Sequence, residues 1–338
     1  MKVLVNGIGT IGATLANVLL RFQDLLEIDT VFINKNRPYP WMEPDLDHLR
    51  KNGAVICSSS ESPDYTSLSD VINEIDYIFD CTAQGRGLEN LKSYQSLPNL
   101  KGACSQGTEY GFGTNFMSGV NPDSIRNKKF VTVVSCNTHA ISATLQTFAG
   151  ENLQNLESAD FVIVRRSEDI GRHGNMVSGN VIARHLDRDA GTHHVRDVIE
   201  LFGQKGIDVN LTASSVTTPS QLMHACRFNI TLKNPPDWNF LEKRLSKSPY
   251  VSITDKFDSN AIFDLGRRYG FQGRIFSHAI ILRNNVLNSG NSIKGWCFVP
   301  QEGNTILSTI DAFPLQTENR SRDSVLNSLR DELMIKMW

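Results

Sequence analysis

The sequence predicts an α/β chain of two domains, an open parallel sheet followed by a unit that contains antiparallel strands. Three observations carry this prediction. A short apolar strand at Lys2–Val5 runs into a glycine-rich turn and then into a helical pattern. Later apolar runs at Ile75–Asp80, Gly102–Ser105 and Lys129–Ser135 end in small residues, which is where ligands sit on an open parallel sheet. Farther on, Cys226, Phe228, Ile230 and Leu232 alternate as on a half-buried antiparallel strand. A chain of 338 residues exceeds one ordinary core and suits two.

The first of these signals is the most detailed. Gly7-Ile8-Gly9-Thr10-Ile11-Gly12 is a full G-x-G-x-x-G, and Ala13, Leu15, Ala16, Leu19 and Leu20 follow at helical spacing. In a dinucleotide site the first glycine permits the tight turn. The second lets backbone approach a pyrophosphate, and the third lets helix pack on strand. The helix N-terminus then offers N–H groups to the phosphates. A tight strand-to-helix turn with no ligand is the alternative.

A second strand, Ile28–Asn34, ends in Asn34-Lys35-Asn36-Arg37. A carboxylate there would select NAD by holding the ribose 2′-hydroxyl. Two cations stand in its place, so NADP is expected to be accepted, with Lys35 as a contact and NAD left open. The alternative is a pair of solvated loop charges. Gly107, after the strand that ends in Ser105-Gln106, could let backbone close on the cofactor or be an ordinary turn glycine.

Val131-Thr132-Val133-Val134 ends abruptly in Ser135-Cys136-Asn137-Thr138, and Ala140, Ile141, Leu145 and Phe148 then repeat like one helix face. Cys136 therefore falls at a strand end and at a helix N-terminus, where helix dipole and N–H groups favour a thiolate. Such a thiolate attacks an aldehyde carbonyl, and a hydride acceptor beside it would yield a thioester. Phe161–Val164 is a strand that ends in Arg165-Arg166, a pair suited to anions. His193 and His194 would face opposite ways on a strand, whereas in a loop both could reach one ligand. His224, at the entry to the alternating strand, is a candidate general base or a hydrogen-bonded strand-end histidine. Strands are expected at Val209–Thr218, Ala279–Asn284 and Ile293–Val299, and a helix within 321–338.

Composition narrows the function classes. With 40% hydrophobic and 21% charged residues and a formal charge of -2, the chain has no general attraction for nucleic acid or for a membrane surface, and neither is expected as a partner. No apolar run reaches the ~20 residues of a spanning helix. Val3-Leu4-Val5 is too short an apolar stretch for a secretory leader, so a cytoplasmic setting is expected. The six cysteines are scattered without a C-x-x-C pair and form no zinc-like grouping with the eight histidines. Reduced thiols and no metal are expected.

The stretches N-G-I-G-T-I-G (6–12), V-V-S-C-N-T (133–138), V-I-V-R-R (162–166), H-H (193–194) and P-S-Q-L-M-H (219–224) together resemble the phosphorylating glyceraldehyde-3-phosphate dehydrogenases of the archaeal type, type II. The resemblance implies an N-terminal Rossmann dinucleotide-binding domain over 1–136, joined by a C-terminal helix of about 302–338. Residues 137–301 would form an α+β catalytic domain with a mostly antiparallel sheet. It implies Cys136 as nucleophile and His224 as base. Gly7, Gly9, Thr10, Ile11, Gly12, Lys35, Gly107, Arg165 and Gln301 would bind NADP or NAD. Ser135, Asn137, Thr138, Arg166, His193 and His194 would bind the aldehyde substrate or its phosphate. Inorganic phosphate would be the second substrate, and a homotetramer is the usual assembly.

Three departures lie beside the substrate positions. His139-Ala140 replaces the family's Thr-Gly after S-C-N-T, Val195-Arg196 replaces Gly-Pro after H-H, and Ser167-Glu168-Asp169-Ile170 follows the arginine pair. Two other readings stay open. One is a related dehydrogenase for a different phosphorylated aldehyde or semialdehyde, and the other is a cofactor-binding paralogue without catalysis.

Overall fold

The computed structural model describes residues 1–338 except 37–38, 61, 108, 167–181, 185–186, 220–221, 235, 301 and 319–321, and only the backbone of Ile182 and Arg184. Contacts divide the chain into two units. The first comprises Met1–Ser118, Pro122–Val133 and Ile306–Ser328; the second comprises Gly119–Asn121, Val134–Thr305 and Leu329–Trp338.

The first unit holds an eight-stranded sheet of β1 (Lys2–Asn6), β2 (Thr30–Asn34), β3 (Val55–Ser58), β4 (Thr66–Ser67), β5 (Tyr77–Asp80), β6 (Gly102–Gln106), β7 (Thr114–Phe116) and β8 (Phe130–Val133). Their spatial order is β4-β3-β2-β1-β5-β6-β8-β7, and every pairing is parallel. The order reverses at β1, between β2 and β5. A crevice at such a reversal, at the strands' C-terminal ends, is the usual ligand position in open parallel sheets. Parallel strands are covered on both faces, so they read as continuous apolar runs, as Val3-Leu4-Val5 does. On one face Leu4, Phe32, Ile78, Leu91, Ala103 and Phe112 pack together. On another side Tyr77 and Phe79 meet Phe313, with ring centroids 5.0 and 6.1 Å away.

The helices of this unit are α1 (Thr10–Arg21), α2 (Glu43–Lys51), α3 (Leu68–Val71), α4 (Arg86–Tyr94) and, late in the chain, a fully buried helix over Ile306–Gln316. The strand expected from Ile28 starts two residues later, because the Ile28 N–H closes a turn on Gln23 O at 3.0 Å. The single C-terminal helix expected over about 302–338 is two helices, Ile306–Gln316 and Arg322–Leu333. Ile306–Gln316 is buried all round, Ser308, Thr309, Asp311 and Gln316 included, and therefore lacks the one-sided period that marks a surface helix.

The second unit holds β9 (Leu156–Arg165), β10 (Ile182–Arg184), β11 (Leu211–Thr217), β12 (His224–Leu232), β13 (Val251–Thr254), β14 (Ala279–Leu282), β15 (Leu287–Ser289) and β16 (Ser292–Val299). The order is β10-β11-β9-β12-β16-β14-β13, with β15 paired to β16. Only β9–β11 and β13–β14 pair in parallel; the other pairings are antiparallel. Residues of β12 alternate buried and half-buried, as the period of Cys226, Phe228, Ile230 and Leu232 requires. The helices here are α5 (Cys136–Ala149), α6 (His193–Gly203), α7 (Trp238–Lys247) and α8 (Ser259–Tyr269). The buried helix Ile306–Gln316 is α9, and α10 (Arg322–Leu333) follows it. Among the described residues no helix is long and apolar enough to cross a membrane.

The glycine turn after β1 is set by two contacts and one opening. Gly7 has φ +99, and a Cβ there would lie 2.8 Å from Cys81 O. A Cβ on Gly12 would lie 2.0 Å from Gly7 O, so the turn and α1 close on each other only with glycine at both ends. A Cβ on Gly9 would meet nothing within 4 Å. Gly12→Ala is therefore expected to cost about 3 kcal/mol or more of stability. Gly9→Ala should stay within about 1 kcal/mol of the parent. Urea unfolding of the two variants checks this, and equal losses would contradict the packing described.

Candidate active site

Three residues after β8, α5 begins at Cys136 with Ser135 as its N-cap. Ser135 has extended backbone, φ -66 and ψ 162, and its Oγ accepts the Thr138 N–H at 3.4 Å. No acidic residue occupies the first turn, so the positive end of this 14-residue helix is not neutralised by its own side chains. Cys136 is half-buried, and its carbonyl accepts a hydrogen bond from Asn304 Nδ2 at 2.9 Å. The same amide donates to His278 O at 3.1 Å. The six cysteines are thiols, with no disulfide among them.

His193 and His194 do not lie in a loop. They open α6, with Thr192 as N-cap, and their rings stay together, centroids 3.9 Å apart. His194 is buried against the Cys136 turn: its Nδ1 is 2.9 Å from Ser135 Oγ and its Nε2 3.3 Å from Asn137 Nδ2. The polar chain continues from Ser135 Oγ to Thr138 Oγ1 at 2.9 Å and from there to Asp197 Oδ2 at 3.2 Å. The carboxylate must accept from Thr138, and the amide nitrogen must donate to His194 Nε2. His194 is then neutral with its proton on Nδ1, donating to Ser135. Burial pushes the His194 ring well below its ordinary value, with neighbouring His193 and Arg165 acting in the same direction. His193 is lowered by burial and by Arg165. Ser135, Asn137, Thr138 and His194 are thus brought together, with Asp197 completing the set.

His224 sits where three strands end on one edge. It starts β12, pairs with Val299 at the end of β16, and stands one register step beyond the Ala225–Val164 pair of β9. Residues following β9 and β16 are therefore its neighbours. Its Nδ1 accepts the backbone N–H of Arg166 at 2.9 Å. An acceptor at Nδ1 places the proton of a neutral ring on Nε2. His224 is buried, and burial followed by the charges of Arg166 and Arg165 holds it well below its ordinary value. Arg165 acts on His193, His194 and His224, and Arg166 acts on His224 and pairs with Glu302 at 2.9 Å.

In the first unit the glycine turn fits a dinucleotide. Gly9 is the N-cap of α1, no side chain caps that helix, and its first turn has no acidic residue. Thr10 and Ile11 begin the helix there, and the space a Cβ of Gly9 would fill is open. At the end of β2, Asn34 Nδ2 donates to Asn6 Oδ1 at 2.7 Å and Ser59 Oγ donates to Asn34 Oδ1 at 3.2 Å. Lys35 lies beside this polar edge, with its N–H on Cys57 O at 3.0 Å. Arg37 lies outside the described residues. Gly107 has φ +75, its N–H bonds Val133 O at 2.9 Å, and a Cβ there would meet nothing within 4 Å. Gln301 lies outside the described residues, as do Ser220 and Gln221.

Sequence reasoning missed Asn304, Asp197 and His278 as part of this surround, and noted His139 only as a departure beside the substrate positions. Asn304 and His278 lie far along the chain from Cys136, and no local period marks them. His139, the departure from S-C-N-T-T-G, is fully buried and donates Nδ1–H to Ser135 O at 3.0 Å. It packs edge-on against His278, centroids 4.8 Å apart, and His278 stacks on Tyr250 at 4.5 Å. Among the described residues neither ring nitrogen of His278 has a hydrogen-bond partner.

No protein-family model matches the chain. The chain is similar over nearly its whole length to glyceraldehyde-3-phosphate dehydrogenases. It is 27% identical to that of Sulfolobus acidocaldarius, across 99% of this chain and 97% of the relative. Identity is 26% to that of Saccharolobus islandicus, across 99% and 98%. For Sulfurisphaera tokodaii it is 24%, across 99% and 97%.

The buried histidines tie stability to pH. Burial lowers His139 to about 4 from an ordinary 6.5, against the opposing pull of its bonds to Ser135 and Val134. His194, His224 and His278 shift in the same direction. Between these values the unfolded chain binds more protons than the folded one, so stability is full above the unfolded value and falls as pH drops. His139 alone accounts for on the order of 3 kcal/mol. Urea midpoints should decline between about pH 7 and about pH 5, less steeply in His139→Thr. A flat series would show these rings to be protonated or solvated.

Proposed function

We propose that the chain is an NAD(P)-dependent phosphorylating aldehyde dehydrogenase, with glyceraldehyde 3-phosphate as the substrate and the archaeal type as the subtype. The observation that carries the reading is Cys136 at the first position of α5, capped by Ser135, with His194 bonded to the flanking Ser135 and Asn137. Full-length similarity to glyceraldehyde-3-phosphate dehydrogenases supports it.

The helix N-terminus favours the thiolate of Cys136. Its sulfur forms a bond to the aldehyde carbon, and the carbonyl oxygen takes the negative charge of a thiohemiacetal. His224 handles the proton of this step. With Nδ1 engaged by Arg166 N–H, its ring offers a donor at Nε2, suited to that oxygen. Acceptance of the thiol proton by Nε2 requires the Arg166 contact to open first. His193, His194, Asn137 and the arginine pair orient the polar groups of the substrate. A nicotinamide dinucleotide bound at the Gly7–Gly12 turn supplies the hydride acceptor that makes the thioester, which inorganic phosphate releases as an acyl phosphate. Lys35 after β2 and Ser59 after β3 favour a 2′-phosphate, so NADP is the preferred cofactor. A homotetramer in the cytosol completes the reading.

A second substrate class has its own support. The family's Gly-Pro after H-H is replaced by Val195, which is buried, and Arg196, which pairs with Asp187. This altered wall admits a different phosphorylated aldehyde or a semialdehyde.

Cys136→Ser and Cys136→Ala should abolish NAD(P)H formation from glyceraldehyde 3-phosphate and phosphate while cofactor binding persists; wild-type turnover in either would refute the assignment. His224→Ala should lower kcat by about 10²–10⁴-fold, and His224→Gln, which retains a donor, should lose less. Lys35→Ala should weaken NADP roughly tenfold and leave NAD unchanged, as titrations of the two cofactors will read. Equal effects on both would remove the 2′-phosphate role.

A further inference from the structure

We propose that Asn304 is a positioning residue for Cys136, its side-chain amide clamping the peptide of the nucleophile to the strand end that pairs with His224. The proposal deepens the dehydrogenase reading and rests on it for the role of Cys136.

The amide of Asn304 lies between two backbone carbonyls from distant parts of the second unit. Its Nδ2 donates to Cys136 O at 2.9 Å and to His278 O at 3.1 Å. Two acceptors on one side fix the nitrogen there, and both of its hydrogens are committed. Asn304 is fully buried. Among the described residues its Oδ1 has no hydrogen-bond partner. A buried acceptor without a donor costs stability. An apolar side chain of similar volume would avoid that cost, so packing alone does not account for an amide here. The two carbonyls do.

The clamp has a rigid base. The Asn304 N–H bonds the carbonyl of Pro300, the residue after β16, at 3.0 Å. Gly303 presses on the chain before β14, where a Cβ would lie 2.2 Å from Ile275 O. His278 directly precedes β14, and its N–H bonds the carbonyl of Tyr250, which directly precedes β13, at 2.8 Å. The ends of three strands of one sheet therefore hold the amide. One of them, β16, pairs its last residue, Val299, with His224.

Cys136 occupies the first position of α5, and helix ends fray. Fixing its carbonyl fixes its backbone, and with it the point from which the thiol extends. The preceding carbonyl, that of Ser135, is held by the His139 ring at 3.0 Å, and His139 packs on the His278 ring. Two successive carbonyls are thus gripped, and both grips lead to residue 278. A thiol kept at the helix N-terminus keeps the dipole and N–H groups that favour its anion. Kept in register with His224, it keeps its attack geometry, in which a shift of about 1 Å can cost about a hundredfold in rate.

Alkylation of Cys136 by iodoacetamide, followed at that residue by mass spectrometry across a pH series, tests the clamp without turnover. Asn304→Leu keeps the bulk and removes both donors. It should slow alkylation near neutral pH roughly tenfold and move the profile to higher pH by about one unit. Asn304→Gln retains the amide on a longer stem and should recover part of the rate. In the aldehyde assay Asn304→Leu should lower kcat roughly tenfold and change KM less. If its alkylation follows the parent profile and only its urea midpoint drops, Asn304 is a packing residue and the proposal fails. A parent Cys136 that does not alkylate overturns it too. Should Asn304→Leu not fold, Asn304→Ser serves instead, because one short hydroxyl cannot bridge both carbonyls. The same upward shift is expected there, and no shift overturns the proposal. A shifted profile in a protein that oxidises no aldehyde would refute the dehydrogenase reading alone. An unshifted profile with aldehyde oxidation intact would refute this proposal alone.

Discussion

The hydroxyl of Ser135 is the interaction on which the surroundings of Cys136 depend. It accepts the Thr138 N–H and so satisfies one of the orphaned donors at the start of α5. The same oxygen meets His194 Nδ1 and Thr138 Oγ1, and the Ser135 carbonyl receives the His139 ring. One residue thereby positions a helix terminus, a histidine brought from α6 and a buried aromatic stack.

Burial organises the charge. His139, His194, His224 and His278 are all buried and held neutral by desolvation, so none contributes a fixed positive charge. The positive potential comes instead from Arg165, Arg166 and the dipole of α5, whose first turn carries no acidic residue. Asp197 and Glu302 supply the balancing carboxylates from α6 and from the turn after β16. An anionic group meets fixed cations and neutral rings that act as oriented donors and acceptors.

The strand order β9-β12-β16 makes this arrangement possible. β12 runs antiparallel to both neighbours, so its first residue, His224, shares an edge with the last residues of β9 and β16. Arg165 and Arg166 extend from one of them, Glu302 and Asn304 from the other. Side chains more than a hundred positions apart in sequence become neighbours because three strands stop together.

Much of this was legible in the residues themselves. The strand, glycine turn and helix at the N-terminus are a local pattern, and local sterics determine it: Gly7 and Gly12 touch Cys81 and each other's backbone. The presentation of Cys136 is local too, since a valine run must end before Ser135 can cap a helix. The alternation at 226–232 specified a half-buried strand. What the chain alone did not determine was set by nonlocal pairing. The helix at His193 replaces the expected loop, and the fully buried α9 has no one-sided period to reveal it. The proton on Nε2 of His224 depends on an N–H delivered by Arg166, and the polar surround depends on Asp197, His278 and Asn304. Sequence spacing encodes which face a residue takes within its own element; only the packing of elements decides which faces meet.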